Sequence, residues 1–227
     1  MQQFKNAKNE NTKKNNSAYL LNVKNQLLLL IQLSTEMKSI CVFCGSSSGN
    51  NPTYKSSAHE MGKYLATNKI RLVYGGGSIG LMGTMADAVL EHDGEVTGII
   101  PRFLYEMEVG HDDVSELIIV ESMHERKHKM AELSQGFIAM PGGIGTLEEL
   151  FEIFTWSQLS LIKKPVALLN VNNYYDEIIQ FLNKMVREGF LLESNFSSMI
   201  ISKHIPELVT TMLGYNYVET QKWADKT

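Results

Sequence analysis

The segment at residues 141–149, PGGIGTLEE, contains residue types that could bind an anion and act on it. It follows a short apolar run and leads into a helical pattern, and its three glycines allow the backbone to turn sharply close to a ligand. Thr146 and Glu149 have the spacing of a capping box, which predicts a helix N-terminus at Thr146. The N–H groups and dipole of that helix would bind a phosphate beside a carboxylate.

A purely structural interpretation of this segment stays open. Glu149 could be only the reciprocal partner of the Thr146 cap, and a glycine-rich turn between a strand and a helix could serve tight packing without any ligand. The segment ends in two carboxylates, Glu148 and Glu149, either of which could act on a ligand whose phosphate binds at the glycines. They lie about 100° apart around a helix, and Glu149 is the stronger candidate for chemistry.

A second charged segment, residues 123–130, has the sequence MHERKHKM. Such a run usually marks a solvent-exposed helix face. Arg126 and Lys127, however, lie near the N-terminal end of the predicted helix, where an anionic ligand would offset the unfavourable interaction of cations with the helix dipole. His124 and His128 are four positions apart, as metal ligands on a helix can be, but no further ligand pattern accompanies them, and we predict no metal site.

Short apolar runs alternate with longer helical patterns from residue 39 onward. The predicted strands are residues 39–43, 71–74, 95–100, 117–120, 137–140, 165–170 and, as a short edge strand, 199–202. Asn51 is predicted to cap the first helix, because Pro52 follows it at the first helical position. Nearly continuous apolar strands that alternate with helices predict an α/β fold, a doubly wound, Rossmann-like parallel sheet in a single domain.

Three loops rich in glycine or serine follow predicted strands, at residues 45–49, 75–83 and 142–145. Ligands of such sheets bind beyond the carboxyl ends of the strands, so Ser46, Gly76 and Gly77 become candidate binding residues. The middle loop matches Gly-x-Gly-x-x-Gly only loosely and lacks the acidic residue expected about 20 residues later, which argues against NAD. Residues 102–115 have no clear period and could cover the site.

The composition predicts an ordinary globular domain. The 227 residues are 44% hydrophobic and 20% charged, with a formal charge of -4. Residues 1–36 carry five Lys and two Glu, a net charge of +3, which leaves -7 for residues 37–227. An acidic body argues against nucleic-acid binding. The two cysteines, Cys41 and Cys44, would lie on opposite faces of one strand, which predicts reduced thiols and a cytoplasmic protein.

Residues 1–36 differ from the rest of the chain and contain seven Asn. We predict an N-terminal extension here, disordered over residues 1–18, ahead of a phosphate-binding domain at residues 37–227. The apolar run at residues 27–31 is too short for a bilayer crossing, which takes about 20 residues, and no cleavage site of a signal peptide follows it. It could form an extra amphipathic helix, or residues 1–36 could precede a true start at Met37.

Three motifs in the same order resemble those of the LONELY GUY (LOG) family of cytokinin riboside 5'-monophosphate phosphoribohydrolases, an older name for which is putative lysine decarboxylases. They are VYGGGSIGLMG at residues 73–83, MHERKHKM at residues 123–130 and PGGIGTLEE at residues 141–149. The resemblance extends over residues 38–213. Ile144 occupies a variable position of the motif, where plant members often have an aromatic residue.

The resemblance implies hydrolysis of the N-glycosidic bond of adenosine 5'-monophosphate, plain or N6-substituted, to a free base and ribose 5-phosphate. It implies that Arg126 and Glu149 are catalytic and that no cofactor takes part. It places substrate contacts on Glu108, Arg126, Lys127, Gly143, Ile144, Gly145, Thr146, Leu147, Glu148, Glu149 and Thr155. Gly142, in the same glycine-rich segment, is a further candidate binding residue. A carboxylate beside the anomeric carbon agrees with this chemistry independently, because it stabilises an oxocarbenium-like transition state.

Two further expectations concern alternatives and partners. The family also resembles molybdenum-cofactor carriers, so a non-catalytic carrier on the same fold is the alternative function. A lysine decarboxylase is not expected, because neither Lys127 nor Lys129 has the surroundings of a pyridoxal-phosphate lysine. The helix predicted at residues 146–160 is apolar on more than one face, and the related proteins are dimeric, so we expect a homodimer whose partner subunit completes the site.

Overall fold

The computed structural model describes residues 37–217. Seven strands form one sheet: β1 (Ser39–Phe43), β2 (Arg71–Tyr74), β3 (Val96–Pro101), β4 (Glu116–Val120), β5 (Phe137–Ala139), β6 (Val166–Leu169) and β7 (Ile200–Ser202). All strand pairs are parallel, in the order β4-β3-β2-β1-β5-β6-β7. The parallel, doubly wound sheet is confirmed, with β7 at one edge. The predictions for residues 1–36 fall outside the described residues.

Each strand is followed in sequence by at least one helix. The helices are α1 (Pro52–Thr67), α2 (Gly80–Leu90), α3 (Arg102–Leu104), α4 (Met123–Leu133), α5 (Ile144–Gln158), α6 (Asp176–Arg187), α7 (Glu193–Ser197) and α8 (Ile205–Leu213). A 3-10 turn covers Val171–Asn173, and one π-helical turn, Tyr105–Val109, follows α3 directly. The predicted cap of α1 is confirmed, because the Asn51 side chain accepts a hydrogen bond from the Thr53 N–H at 3.0 Å.

Both faces of the sheet are covered, because successive strand side chains point to opposite sides. In β1, Ile40 and Val42 pack with α1, α2 and α8 into one core, whereas Cys41 and Phe43 pack with α4, α5 and α6 into the other. Every residue of β1 is buried. This two-sided burial explains the nearly continuous apolar strands and forms the rigid base of the site.

The strand order changes direction between β1 and β5, and the loops after these strands meet there. The Gly45 N–H donates to the Pro141 carbonyl at 3.1 Å, and the Gly45 carbonyl accepts from the Leu81 N–H at 3.0 Å. One residue therefore links the loops after β1, β2 and β5. The predicted convergence of the three loops is confirmed, at the switch point where ligands of such sheets bind.

The start of α5 differs from the prediction. The helix begins at Ile144, and the extended backbone of Gly143 precedes it as the N-cap, without a side-chain capping bond. Thr146 is therefore not the N-cap but lies inside the first turn, with its side chain buried. A Cβ on Gly142 would overlap the Thr146 hydroxyl, so only glycine fits beside it. The sequence suggested a capping box because Thr146 and Glu149 have the spacing of one, but both residues lie inside the helix and are buried.

Candidate active site

A cavity of about 470 Å³ opens at the switch point, between the loops after β1, β2 and β3 and the first turn of α5. Its volume suits a small molecule, since ligand pockets usually enclose about 300–1,000 Å³. Part of its wall consists of polar side chains and of glycines, which present only main-chain atoms: Gly45, Ser46, Gly75, Gly77, Arg126, Gly143, Gly145, Thr146, Glu148 and Glu149. The remainder is apolar or sulfur-containing: Cys44, Ile79, Met82, Ile100, Leu104, Met123 and Ile144.

Arg126 lies in the first half of α4, which Ser122 caps by accepting the Glu125 N–H at 3.1 Å. The guanidinium is buried, and Nη1 forms an ion pair with Glu149 Oε1 at 3.2 Å. Nε donates to the Ile99 carbonyl at 3.1 Å and Nη2 to the Gly75 carbonyl at 3.2 Å. Arg126 thus joins the ends of β2 and β3 to α5, which gives it one defined position at the cavity wall.

Glu149 is the buried carboxylate of the cavity, with its side chain 10% exposed. Burial raises its pKa above the ordinary value of a glutamate, although the positive charge of Arg126 acts in the opposite direction. Glu149 does not reach back to a helix cap, so the interpretation of this residue as a capping-box partner is wrong. A carboxylate that pairs with one cation and has little contact with solvent interacts strongly with a positive charge that develops nearby.

The thiol of Cys44 also lines this cavity, at the end of β1. Burial, with the nearby Glu149 charge, raises its pKa far above the ordinary thiol range, so the thiol is neutral at physiological pH. Cys41 is likewise a free, buried thiol with a raised pKa. Both cysteines are buried in the core, and their raised pKa values therefore disfavour the thiolate that a nucleophile needs.

The first turn of α5 supplies an anion-binding surface. Gly143, Ile144, Gly145 and Thr146 all line the cavity, and no side chain caps the helix. The first N–H groups of a helix have no intrahelical acceptor, and the helix dipole is positive there. The 82% exposure of Ile144 keeps this end of the helix open. An anionic ligand can therefore contact the backbone N–H groups directly.

Lys127 occupies a different place from Arg126 despite its adjacent position. Its buried ammonium group pairs with Glu148 and, at 2.9 Å, with Glu152, both on α5. Burial lowers the pKa of Lys127, but the two carboxylates raise it by more, and the net pKa lies above the ordinary value. Lys127 does not line the cavity. Its contacts link α4 to α5 and pair the Glu148 carboxylate with a cation other than Arg126.

The structure brings most of the predicted site residues together. Ser46, Gly77, Arg126, Gly143, Ile144, Gly145, Thr146, Glu148 and Glu149 line the cavity. Gly142 and Ser46 border a neighbouring cavity of about 280 Å³, where the Tyr174 hydroxyl donates to the Gly142 carbonyl at 2.7 Å. Leu147 packs against the core beneath α5.

Three predicted residues lie elsewhere: Gly76, Thr155 and Lys127. Gly76 has a left-handed φ of 75° behind the cavity wall, and its carbonyl accepts the His111 N–H at 3.0 Å. Thr155 is exposed, farther along α5, and its hydroxyl donates to the Phe151 carbonyl at 2.7 Å. Lys127 forms the link described above. Glu108 belongs to the π-helical turn, and its side chain lies outside the described part of the structure.

The apolar wall was missed by sequence reasoning. Ile79, Met82, Ile100, Leu104 and Met123 come from four separate segments and form one side of the cavity. The available signal was positional, since these residues lie at or just after the carboxyl ends of β2, β3 and β4, at the edge of the sheet where ligands bind. The glycine-rich loop drew attention instead, and within it Gly75 is required because a Cβ there would overlap the Arg126 guanidinium.

Two general properties complete the description of the site. Among residues 37–217, no cluster of three or more His, Cys, Asp or Glu side chains could hold a metal ion. None of the helices in that range has the length and apolar character that a bilayer crossing requires.

Comparisons with known proteins identify relatives of this chain. The family model described as "possible lysine decarboxylase" matches residues 82–212. The Arabidopsis thaliana cytokinin riboside 5'-monophosphate phosphoribohydrolase LOG1 is 45% identical over 82% of this chain and 87% of its own. Its relative LOG2 is 42% identical over 86% and 94% of the two chains. The rice enzyme LOG is 47% identical over 80% and 75%.

Solved structures share the fold at lower identity. The molybdenum cofactor carrier protein of Chlamydomonas reinhardtii has a TM-score of 0.60 and 22% identity over 79% of this chain and 100% of its own. The molybdenum cofactor binding protein of Rippkaea orientalis has a TM-score of 0.59 at the same identity, over 79% and 96%. With the motifs, the fold and relatives matched along most of their length, the chain belongs to the LOG family of cytokinin riboside 5'-monophosphate phosphoribohydrolases.

Proposed function

We propose that this protein hydrolyses the N-glycosidic bond of adenosine 5'-monophosphate or of its N6-substituted forms. Water adds its hydroxyl to C1' of the ribose, the proton goes to the departing base, and ribose 5-phosphate remains. One observation carries the proposal: the buried Arg126–Glu149 pair lies in the same cavity as the uncapped N-terminus of α5. The names of the relatives specify the same reaction class.

The phosphate of the substrate binds at the first turn of α5. Gly143, Gly145 and Thr146 offer backbone N–H groups and one hydroxyl there, and the helix dipole favours a dianion. Ser46, on the loop after β1, borders the same space. Fixing the phosphate at this point positions the ribose beside the next turn of α5, which carries Glu149. The binding energy of the phosphate thereby orients the bond that breaks.

Glu149 stabilises the transition state. Cleavage of the bond leaves positive charge on C1' and the ring oxygen, and a nearby carboxylate in a cavity with little water favours that charge. Glu149 also accepts a hydrogen bond from the attacking water. Arg126 remains charged at all working pH values, so it is no proton donor; it holds the Glu149 carboxylate and balances negative charge on the phosphate or the departing base.

The apolar wall binds the base. Met82, Ile100 and Leu104 offer flat, uncharged surface for a purine, and Ile79, half-exposed at the rim, extends it outward. This arrangement accommodates an apolar N6 substituent without a dedicated hydrogen bond. The relatives are named for cytokinin ribosides, which supports testing an N6-isopentenyl substrate beside plain adenosine 5'-monophosphate.

No cofactor takes part in this proposal. A pyridoxal-phosphate decarboxylase needs a free lysine for the Schiff base, whereas Lys127 is bound by Glu148 and Glu152. The description of the family model as a possible lysine decarboxylase is therefore not adopted as the activity. Buried, free thiols at Cys41 and Cys44 suit a reducing compartment, which supports a cytoplasmic location.

A homodimer is part of the proposal. Large apolar side chains are exposed at and beyond the C-terminal end of α5 and on α6, with Leu161 68% and Phe181 54% exposed. Such exposure is typical of an interface between subunits. Thr155, exposed and away from the cavity of its own chain, could contact substrate only in the site of a second copy. Sedimentation at micromolar concentration checks this, and a monomeric mass would contradict it.

The decisive experiment measures base release from adenosine 5'-monophosphate and from its N6-isopentenyl form. We expect Glu149→Gln to lose at least about 100-fold in kcat, because one electrostatic contact in the transition state is worth that much. Glu132→Gln, an exposed carboxylate that pairs with Lys129 on α4, should match the wild type. Tight nucleotide binding without release, unchanged in Glu149→Gln, would establish a non-catalytic carrier instead.

A further inference from the structure

The segment between β3 and β4 contacts the cavity at its outer side. Residues 102–110, which we name the cover segment, comprise α3, the π-helical turn and Gly110. Leu104 of this segment lines the cavity, while Phe103 is 50% and Met107 68% exposed. None of the residues with a role in the proposed mechanism holds this segment in place. A short helix with a π-helical turn is unstable alone, so other contacts must fix it.

His111 follows the cover segment directly and is buried. Its backbone N–H donates to the Gly76 carbonyl at 3.0 Å, and Gly110 forms an isolated bridge with Gly77. Its Nε2 lies 2.9 Å from Asp87 Oδ1, on α2. With a carboxylate as partner, Nε2 is the donor of this hydrogen bond. The His111 side chain therefore fastens the end of the cover segment to a helix of the core.

The anchoring point is continuous with the cavity wall. His111 and Gly110 pair with Gly76 and Gly77, and the preceding carbonyl, that of Gly75, accepts the Arg126 guanidinium. The same three-residue backbone thus carries the cover segment on one side and the catalytic cation on the other. Releasing the His111 side removes a constraint on the apolar wall at Leu104, whereas the bonds of Arg126 to the Ile99 carbonyl and to Glu149 still hold the guanidinium.

We propose that His111 is a positioning residue whose hydrogen bond to Asp87 fastens the cover segment over the substrate cavity. His111 does not touch the substrate, and the inference rests on the proposed function of the cavity. The bond acts mainly on substrate binding, because the wall that it supports contacts the base rather than the reacting carbon. Its loss therefore raises KM more than it lowers kcat.

Three variants test this. His111→Leu removes the hydrogen bond and retains bulk, His111→Gln restores a donor near the Nε2 position, and Asp87→Asn removes the charge but keeps an acceptor. His59→Leu is the matched control, since His59 also pairs with an acidic side chain, Glu91 at 3.4 Å, on the exposed outer side of α1 and α2. Each variant is compared by kcat, KM, nucleotide affinity, thermal midpoint and amide hydrogen exchange of residues 102–110.

We expect His111→Leu to raise KM about tenfold, the worth of one hydrogen bond to a charged group, with kcat within about threefold. Its cover segment should exchange at least about tenfold faster, for the same reason. His111→Gln should recover most of both losses, Asp87→Asn should lie between, and His59→Leu should equal the wild type. If the His111→Leu variant does not fold, Asp87→Asn tests the same bond, because the half-exposed Asp87 side chain can be changed without disturbing the core.

Two outcomes would overturn the inference: KM and hydrogen exchange unchanged in His111→Leu, or a Gln variant as impaired as the Leu variant. Failure of the proposed function looks different. In that case the wild type releases no base, while hydrogen exchange of residues 102–110 still reports whether the His111–Asp87 bond fastens the segment, because exchange needs no turnover.

Discussion

Replacing Gly75 by Ala tests whether the position of Arg126 determines activity. A Cβ at this position would overlap Arg126 Nη2 and lie 3.1 Å from both Arg126 Cζ and Met82 Sδ. Carbon atoms in contact prefer about 3.5–4.0 Å, so Arg126 Nη2 must move by about 1.5–2 Å. That shift breaks the bond from Nη2 to the Gly75 carbonyl and lengthens the pair with Glu149, which is 3.2 Å in the intact site.

The expected cost differs between activity and stability. A displacement of about 1 Å at a catalytic group can reduce the rate about 100-fold, and we expect a loss of that size in kcat. The free energy of unfolding should fall by only about 1–3 kcal/mol, the usual cost of overpacking, because a side-chain end can move. Base release and urea unfolding measure the two quantities on the same protein.

Gly214→Ala is the matched control, because a Cβ there meets nothing closer than 3.7 Å and φ is -85°. It should leave base release at the wild-type level. The reasoning is refuted if Gly75→Ala retains kcat within about twofold while its unfolding is normal, since about 1 Å of displacement should cost far more. It is also refuted if Gly75→Ala and Gly214→Ala lose activity equally.

Three other predictions concern the charges and thiols of the site. Because burial raises the pKa of Glu149, and the ionised form stabilises the transition state, kcat should fall as pH decreases through that raised pKa; a pH–rate profile should show the acidic limb, and Glu149→Gln should lose it. Lys127→Met leaves the carboxylates of Glu148 and Glu152 without a cation and should lower the free energy of unfolding by about 1–3 kcal/mol. This is less than for a fully buried pair, because Glu148 is half-exposed. An unchanged midpoint of urea unfolding would contradict the link between α4 and α5. Cys41 and Cys44 should not react with a disulfide reagent at pH 8 until the protein is unfolded, when two thiols titrate; rapid labelling of the native protein would contradict their burial.

The sheet and the location of the site could be predicted because they depend on local patterns. Short apolar runs specify buried parallel strands, and loops of Gly and Ser after strands specify the ligand edge. Asn51 before Pro52 marks a helix start that the structure confirms. These features need only a few neighbouring residues, which is why one sequence was sufficient.

Other parts of the site depend on contacts between distant segments. Nothing near Arg126 indicates that it binds the Ile99 and Gly75 carbonyls, and nothing near Lys127 indicates that it pairs with α5 instead of ligand. The helix start at Ile144 was misplaced because Thr and Glu at capping-box spacing also occur where Glu turns inward to a buried partner. Steric requirements such as that of Gly75 become visible only when the opposing side chain is in place.

The backbone of Gly45 has a consequence for how the protein acquires activity. It bonds to Pro141 on one side and to Leu81 on the other, so the site does not exist until three strands far apart in sequence are in register. Pairings between distant segments form slowly, because the loop-closure entropy must be overcome first. A chain with its individual helices already formed would therefore be inactive, and recovered catalysis would mark the completion of refolding rather than its onset.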